Sequence, residues 1–566
     1  MDNPQAQHLQ TYFLFPFSID REAVAADHPD LFAKRPHWFA GVDDWVKRGG
    51  QSSRIQSELG AWQRGPFSSF EAESDQAMSV FHPFVRRVFF GNTMADEDAG
   101  ERDSLVRSFR MPLARLRENN RTLRYEARDA HGRSMSVEVT DLQLSIAANG
   151  IGILSISIEA LDTPIGDALW INEMLRKVYP SSSRQIREAR TLLSAALVIE
   201  GSGVRDVLVE DDFERLTAQA DVQPLSGLIT KLLYFAHYTD SQFDPVLGER
   251  MNVYSYLAID PASVPKDYHL SEEYQVLMSR FLYVDLWNGD YRYEAEFTRA
   301  QMQSDVYRRW AHQGTLYGFT SCSSVVLAMG EGDRGEHGAR DGSLILRMFR
   351  GRYFIMQRIA LFYRASLLGL AEDVAITTRA LFRSFNLATV YETDIRMTLQ
   401  LLADVQFFNN HWFFGEITNQ MEELEHYRIL GKCYGLEATR REIDLETERL
   451  GSTVDRFFQQ RTTEALNRLA MLSMILGGGA VITGFFGMNF GLDFEKLFFN
   501  PGENPLFHHL AIAGVSALVV VALSLAAFVV AANWRDYRSI LIPTNFLTQK
   551  RGSLKRVNSS KAGKGN

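Results

Sequence analysis

The chain has 566 residues, a formal net charge of −9, 46% hydrophobic residues and two cysteines, Cys322 and Cys433. Two cysteines this far apart in sequence exclude a small disulfide-stapled secreted module, and an aromatic content of 12% excludes general disorder. In a chain of this kind the two cysteines are most simply buried small apolar residues. The length predicts roughly two to four domains.

The first 350 residues predict an enlarged α+β domain in the cytosol, over 1–350. Four segments alternate apolar and polar residues, and the pairs His131-Gly132 and Asn149-Gly150 separate them, which is typical of an antiparallel meander. Apolar residues three and four apart predict helices around it. The predicted strands are 123–127, 135–139, 142–146 and 154–160, and the predicted helices are 167–178, 183–198 and 226–239.

No motif of catalysis or nucleotide binding is visible. The Gly-rich segment 330–342 lacks the GK[ST] ending of a phosphate-binding loop, and HExxH and GxSxG patterns are missing from the sequence. We therefore expect a protein that is not an enzyme, has no catalytic cofactor and does not bind nucleic acid.

From about residue 353 the chain predicts three long helices, 353–384, 393–434 and 437–486, because proline is absent from 353 to 500. We expect a cytosolic helical hairpin over 351–435. The third helix is a stalk over 436–487 of about 50 residues, or ~75 Å. It would begin in the cytosol and continue as a first transmembrane helix.

Residues 469–492 and 510–532 contain no charged side chain, and each segment could cross the ~30 Å hydrocarbon core as a helix. The tail from Arg535 carries eight basic residues and one acid, whereas the connection between the spans carries Asp493, Glu495 and Glu503 against Lys496. By the positive-inside rule, both termini face the cytoplasm of a multi-pass inner-membrane protein. We expect an outer loop over 488–506, a second transmembrane helix over 507–534 and a basic cytosolic tail over 535–566.

The sequence FFGMNF lies at residues 485–490, where the first predicted span ends. An aromatic residue followed by Gly487-Met488-Asn489, before the last span, resembles the CorA family of divalent-cation channels. The resemblance covers about 437–534. It implies a homopentamer in the lipid bilayer with a central pore, a CorA-like funnel of long helices and gating by cytosolic cations. It also implies transport of Mg²⁺, or of Co²⁺, Ni²⁺ or Zn²⁺.

Gly487, Met488 and Asn489 are the expected ion-selectivity mouth. Mg²⁺ keeps its octahedral water shell, so amide oxygens of Asn489 would accept hydrogen bonds from the hydrated ion without trapping it. Asn489 is thus the expected metal residue, through water. The alternative is that Asn489 is a helix C-cap. The outer acids Asp493, Glu495 and Glu503 would concentrate cations at the entrance.

Helical periodicity back from Asn489 defines a stripe of mostly small residues, the expected pore lining. Small residues there would leave a lumen, or would allow close helix packing. Its two leucines would form rings that close the pore by dewetting, or would pack against neighbouring helices. The stripe comprises Leu466, Leu469, Ser473, Gly477, Ala480 and Gly484.

Gating by a bound cation requires acids that face each other between copies. Candidate acids are Asp211, Asp212 and Glu214, and the stalk acids Glu442 and Asp444, but nothing in the sequence singles out a pair. The leading hypothesis is a divalent-cation channel. The alternative is a membrane-anchored sensor or effector that uses the CorA scaffold without significant transport.

Overall fold

The structure is a computed structural model. It describes residues 4–487 and a few residues between 506 and 524. The gaps within 4–487 are 34–36, 49–53, 66, 68–73, 91–103, 180–190, 202, 214, 216–224, 239–241, 249, 288–292, 330–343 and 387–391.

A mixed sheet of thirteen strands runs through the described chain. The strands are β1 Gln5–Ile19, β2 Gln63–Arg64, β3 Val106–Arg110, β4 Arg121–Asp129, β5 Ser134–Ala147, β6 Ile151–Pro164, β7 Leu192–Gly201, β8 Val204–Asp212, β9 Phe243–Pro245, β10 Asn252–Ile259, β11 Val306–Tyr307, β12 Leu316–Phe319 and β13 Ser323–Met329.

The α-helices begin and end as follows: α1 Arg21–Asp27, α2 Pro29–Phe32, α3 Val42–Arg48, α4 Arg54–Leu59, α5 Ser74–Ser79, α6 Pro83–Phe90, α7 Ala114–Glu118, α8 Ile165–Leu175, α9 Gly227–Leu232, α10 Glu272–Tyr283, α11 Ala295–Ser304, α12 Leu344–Met348, α13 Phe354–Asn386, α14 Glu392–Phe407, α15 Met421–Cys433 and α16 Leu436–Gly487. Short 3₁₀ segments lie at Trp38–Gly41, Pro261–Ser263, Tyr268–Leu270 and Ala311–Gln313, and π-helical segments at Phe349–Tyr353 and Phe408–Trp412.

The main path of the sheet has the order β11-β12-β13-β10-β1-β6-β5-β4-β7-β8, with β2, β3 and β9 attached beside it. Strand β1 is central and pairs antiparallel with both β6 and β10, while β10 and β13 are parallel. The sheet is therefore mixed, and its first strand is held by partners from distant parts of the chain.

Both faces of strand β1 are covered, because successive side chains of a strand point to opposite faces. On one face, Thr11 Oγ1 donates a hydrogen bond of 2.7 Å to Asn172 Oδ1 of α8. On the other face, the ring of Tyr12 lies 4.2 Å from the ring of Phe354 at the start of α13. The sheet is thus the middle layer between α8 and the beginning of α13.

The predicted meander is present, with one difference. The two predicted strands 135–139 and 142–146 are a single strand, β5, which pairs with β4 and β6. A register shift against β6 lies between Val139 and Asp141. Gly132 and Gly150 have φ angles of 81° and 92°, which confirms the two predicted turns.

Three helix predictions need correction. The helix predicted at 183–198 is wrong, since the described part of that range is strand β7, which pairs with β4 and β8. The helix predicted at 226–239 ends at Leu232. The helix predicted at 393–434 is broken between α14 and α15, where Thr418 forms a β-bridge with Phe81 and donates to the Val80 carbonyl at 2.7 Å. For β7 and for the break before α15, long-range backbone partners outweigh local helix propensity.

The helices predicted at 167–178, 353–384 and 437–486 are confirmed as α8, α13 and α16. Helix α16 is one helix of 52 residues. It has no proline, and Gly451 is its one glycine before the triplet 477–479.

The predicted architecture, an α+β domain followed by two transmembrane helices in a CorA-like funnel, is wrong. A helix needs about 20 consecutive apolar residues to cross a bilayer, and no helix among the described residues is both long and apolar enough. The predicted location as a multi-pass inner-membrane protein with both termini in the cytoplasm is corrected by the same finding. What the structure shows is a large mixed sheet with helices.

The chain divides into two compact units. The first comprises Met1–Asp373 and Asp404–Asp444, and contains the sheet. The second comprises Val374–Ala403 and the described residues that follow Leu445. The boundaries of the predicted domains stay predictions.

Candidate functional site

Helix α16 ends at Gly487, the first residue of the tripeptide that carried the resemblance. Met488 and Asn489 lie outside the described residues, and so do the acids Asp493, Glu495 and Glu503. Of the three residues of the predicted mouth, the structure therefore describes Gly487.

The described members of the predicted pore stripe are exposed side chains on α16. Leu466 and Leu469 are 59% and 61% exposed, and Ser473 and Ala480 are exposed as well. A Cβ atom placed on Gly477 would meet nothing within 4 Å. Gly484 lies in α16, but the surroundings of its Cα are outside the description.

The exposure of α16 changes along its length. Ile443, Thr447, Leu450 and Val454 are buried, at a spacing of three and four residues that places them on one helix face. From Asp455 to Ala480 the described side chains are exposed or half-exposed, and they include the 71% exposed Leu476. Several apolar side chains of this later part, among them Leu466, Leu469 and Leu472, are thus more than half exposed.

Asp211, one of the candidate gating acids, is buried at the end of β8 and is used inside the fold. Its Oδ1 accepts a hydrogen bond of 2.9 Å from the Gly227 amide, and its Oδ2 accepts bonds of 2.5 Å from the Ser226 hydroxyl and 3.3 Å from the Leu228 amide. The carboxylate therefore satisfies the free N–H groups at the start of α9. This is a structural role and does not offer a ligand to a cation.

We expect Asp211→Ala to lower the free energy of unfolding by about 1–2 kcal/mol through loss of this capping interaction. Urea denaturation with and without Mg²⁺ measures the effect. Glu210→Ala, at an exposed acid of the same strand, is the matched control and should change stability by less than about 0.5 kcal/mol. A stabilisation by Mg²⁺ that Asp211→Ala abolishes would contradict the structural role.

The other candidate gating acids are not brought together. Asp444 accepts a hydrogen bond of 2.6 Å from Asn409 Nδ2 and lies 4.0 Å from Arg440. Glu442 and Asp212 are exposed, and Glu214 is outside the described residues. Within the described residues, no group of three or more His, Cys, Asp or Glu side chains could hold a metal ion.

A cluster that the sequence did not indicate lies where α15 meets the β11–β12 edge of the sheet. Glu422 Oε1 accepts hydrogen bonds of 3.1 Å from the Trp310 indole and 2.9 Å from the Tyr353 hydroxyl. Glu425 Oε2 accepts a bond of 2.5 Å from the Tyr307 hydroxyl. We call these five residues the acid–aromatic cluster. Aromatic donors orient both carboxylates, and Arg309 Nη1 lies 3.7 Å from Glu425 Oε2 and balances part of their charge.

His426 lies beneath this cluster and is 1% exposed. Its ring is 4.4 Å from that of Tyr307, 4.5 Å from Tyr317 and 5.0 Å from Tyr353. Burial, with a smaller contribution from Arg352, lowers the pKa of His426 to about 3. The imidazole is therefore neutral near pH 7, and its Nε2 makes no hydrogen bond within the described chain.

A second buried charged group lies in α8. Glu173 is 1% exposed and forms ion pairs with Arg176 and, at 3.4 Å, with Lys177. Burial alone would raise the pKa of Glu173, but Arg176 and Lys177 outweigh it and hold that pKa below its ordinary value. In the sequence, Arg176 and Lys177 lie three and four residues after Glu173. An exposed helix face commonly has the same spacing of charges, so the spacing alone does not indicate burial.

No protein-family model matches the chain, and searches of the curated proteins and of the solved structures found no match either.

Proposed function

We propose that this chain transports Mg²⁺ or a related divalent cation, Co²⁺, Ni²⁺ or Zn²⁺, as an assembly of identical copies arranged around α16. The observation that carries the proposal is the single 52-residue helix that ends on Gly487. Met488 and Asn489 follow Gly487 directly in the sequence, and a Cβ atom placed on Gly477, one of the predicted lining residues, would meet nothing within 4 Å.

The exposed stripe supports a second copy of the chain as its partner. Leu466, Leu469, Ser473, Gly477 and Ala480 follow one another at steps of three or four residues, close to the spacing of a coiled-coil seam. Identical helices that meet along such a seam place the same residue of each copy at the same level. Rings of Leu466 and Leu469 would then form an apolar constriction of the kind that gates by dewetting.

Asn489 supports the choice of ion. Mg²⁺ dehydrates reluctantly and prefers octahedral coordination by oxygen. A ring of neutral amide oxygens accepts hydrogen bonds from its water shell, whereas a ring of carboxylates would bind the ion more strongly and slow its release. The acids Asp493, Glu495 and Glu503 follow in the next residues and would attract cations to the ring.

The test is uptake of divalent cations by cells that lack their own Mg²⁺ uptake systems and express this chain. Asn489→Ala should lower the initial uptake rate by about tenfold, equivalent to ~1.4 kcal/mol of lost stabilisation of the passing ion. Asn500→Ala, at an asparagine outside the tripeptide, is the control and should leave uptake unchanged. Both variants must be present at the level of the natural chain.

Two outcomes would contradict parts of the proposal. Equal uptake with and without the expressed chain rules out transport. Uptake that Asn489→Ala does not change leaves transport in place but rules out Asn489 as the mouth. A monomeric mass of the purified chain by light scattering would contradict the assembly around α16.

A second candidate function is sensing: the chain responds to divalent cations without transporting them. Two observations favour it, namely that the thirteen-stranded sheet accounts for much of the described chain and that no helix in the described ranges is long and apolar enough to span a membrane. In that case Mg²⁺ or Co²⁺ should bind the purified chain in calorimetry while uptake by the cells stays at background.

A further inference from the structure

The fold brings together the two cysteines of the chain. Cys322 lies in the turn between β12 and β13, and Cys433 is the last residue of α15. The sequence predicted two buried small apolar residues, but both thiols are free and half-exposed. They are therefore within reach of small reagents in solution.

The two thiols contact consecutive residues of one turn. The Cys433 thiol donates to the Phe319 carbonyl at 3.4 Å, and the Cys322 Sγ lies 3.6 Å from the Thr320 Oγ1. Phe319 and Thr320 are consecutive residues. The two contact distances, added to the short distance between the Phe319 carbonyl oxygen and Thr320 Oγ1, place the two sulfur atoms at most roughly 12 Å apart. The sulfur atoms approach this turn from two different elements.

Two tyrosines, Tyr283 and Tyr434, lie near the cysteines. Tyr283 lies close enough to both thiols that each contributes, after burial and Asp305, to raising the pKa of its phenol. Tyr434, which directly follows Cys433, is influenced in the same way by Cys322. Its hydroxyl accepts a 2.7 Å hydrogen bond from Gln357 Nε2. Cys322 and Cys433 therefore share neighbouring residues.

We propose that Cys322 and Cys433 are a redox pair, which a peroxide oxidises to an intramolecular disulfide. The Cys322 thiolate attacks one peroxide oxygen and becomes a sulfenic acid, with release of one water molecule from hydrogen peroxide. The Cys433 thiol then attacks that sulfur, the S–S bond forms and a second water molecule leaves. Two thiols lose two hydrogens and two electrons, and one peroxide is reduced to two waters.

Formation of the bond requires the two sulfur atoms to move from their contacts with Phe319 and Thr320 to bonding distance from each other. A disulfide needs Cα atoms about 4.4–6.8 Å apart. Cys322 lies in the β12–β13 turn, where its amide donates a hydrogen bond to Thr320 Oγ1. Burial, with Asp305, raises the pKa of the Cys433 thiol to about 11, which suits a thiol that reacts second.

The bond would act at the start of α16. Cys433 is followed by Tyr434 and by Gly435, which has a φ of 66° and connects α15 to α16. A link from Cys433 to the β12–β13 turn would hold this connection against the edge of the sheet. Oxidation would thereby fix the first residues of the longest helix, in a manner independent of the proposed transport.

The test uses the purified, reduced full chain treated with hydrogen peroxide, after which free thiols are alkylated and the chain is digested. We expect a peptide pair linked through Cys322 and Cys433, about 2 Da lighter than the sum of its parts because two hydrogens are lost. In a mixture of ¹⁴N- and ¹⁵N-labelled chains, linked pairs should carry a single isotope. Cys322→Ser and Cys433→Ser should each abolish the linked pair.

Two outcomes would overturn the proposal. The first is separate alkylation or over-oxidation of both cysteines with no linked pair. The second is linked pairs of mixed isotope, which would place the bond between copies. Deuterium exchange of the natural chain adds a readout: the bond should slow exchange at the first residues of α16 relative to the reduced chain, and to either serine variant.

Discussion

Replacement of Glu173 with alanine should destabilise the first compact unit by about 3–5 kcal/mol, the cost of removing one partner from a buried ion pair. Glu173 is 1% exposed, while the side chains of Arg176 and Lys177 are 4% and 7% exposed. Without the carboxylate, two cationic groups would stay buried without the negative charge that Glu173 supplies. Lys177 already has a lowered pKa through burial, and Arg250 lowers it further.

Urea denaturation followed by tryptophan fluorescence measures this loss. Glu173→Gln keeps the shape of the side chain and should recover part of the loss, since the amide oxygen can still accept from Arg176. Glu138→Ala is the matched control, because the pair of Glu138 with Arg117 is exposed and should contribute less than about 1 kcal/mol. A loss for Glu173→Ala as small as that of the control would contradict a buried pair of this strength.

Acid should destabilise the chain through His426. The imidazole has a pKa of about 3 in the folded chain and about 6.5 when unfolded. Between these values the unfolded chain binds more protons, so stability falls as the pH falls. The stabilising contribution is complete above pH ~6.5 and decreases by up to about 1.4 kcal/mol per pH unit toward pH 3.

The free energy of unfolding at pH 6.5 and at pH 4.5 tests this prediction. His426 should account for a loss of about 2–3 kcal/mol over this interval. His426→Phe places an apolar ring among Tyr307, Tyr317 and Tyr353 and should remove that part of the pH dependence. His312→Phe, at an exposed histidine, is the control and should keep the pH dependence of the natural chain. Identical pH profiles for all three proteins would contradict a buried neutral imidazole.

Local patterns predicted those elements whose stability is mainly local. Helix α16 matches the range 437–486 to within one residue at each end, because few residues in that range oppose a helix. The turns at Gly132 and Gly150 follow from the left-handed conformation that glycine adopts without strain. The alternation of apolar and polar residues in β4 to β6 follows from a strand with two different faces.

Tertiary contacts decided elements whose local pattern was ambiguous. The residues of β7 carry apolar side chains that fit a helix or a strand, and pairing with β4 and β8 selected the strand. The break between α14 and α15 follows from the bridge of Thr418 to Phe81, which is more than 300 residues away in sequence. In the described ranges no helix is long and apolar enough to cross a membrane, although residues 469–487 carry no charged side chain.

For the candidate site, the sequence by itself determined the tripeptide Gly487-Met488-Asn489, the small-residue stripe and the long helix that carries them, because these depend on residues close together in the chain. Only the tertiary structure decided the use of Asp211 as a helix cap, the acid–aromatic cluster on α15 and the proximity of Cys322 to Cys433. Each of these depends on which strands are neighbours in the sheet and on where α15 packs against it. Such pairings are set by burial and hydrogen bonding summed over the whole first unit, and no local pattern in the sequence encodes them.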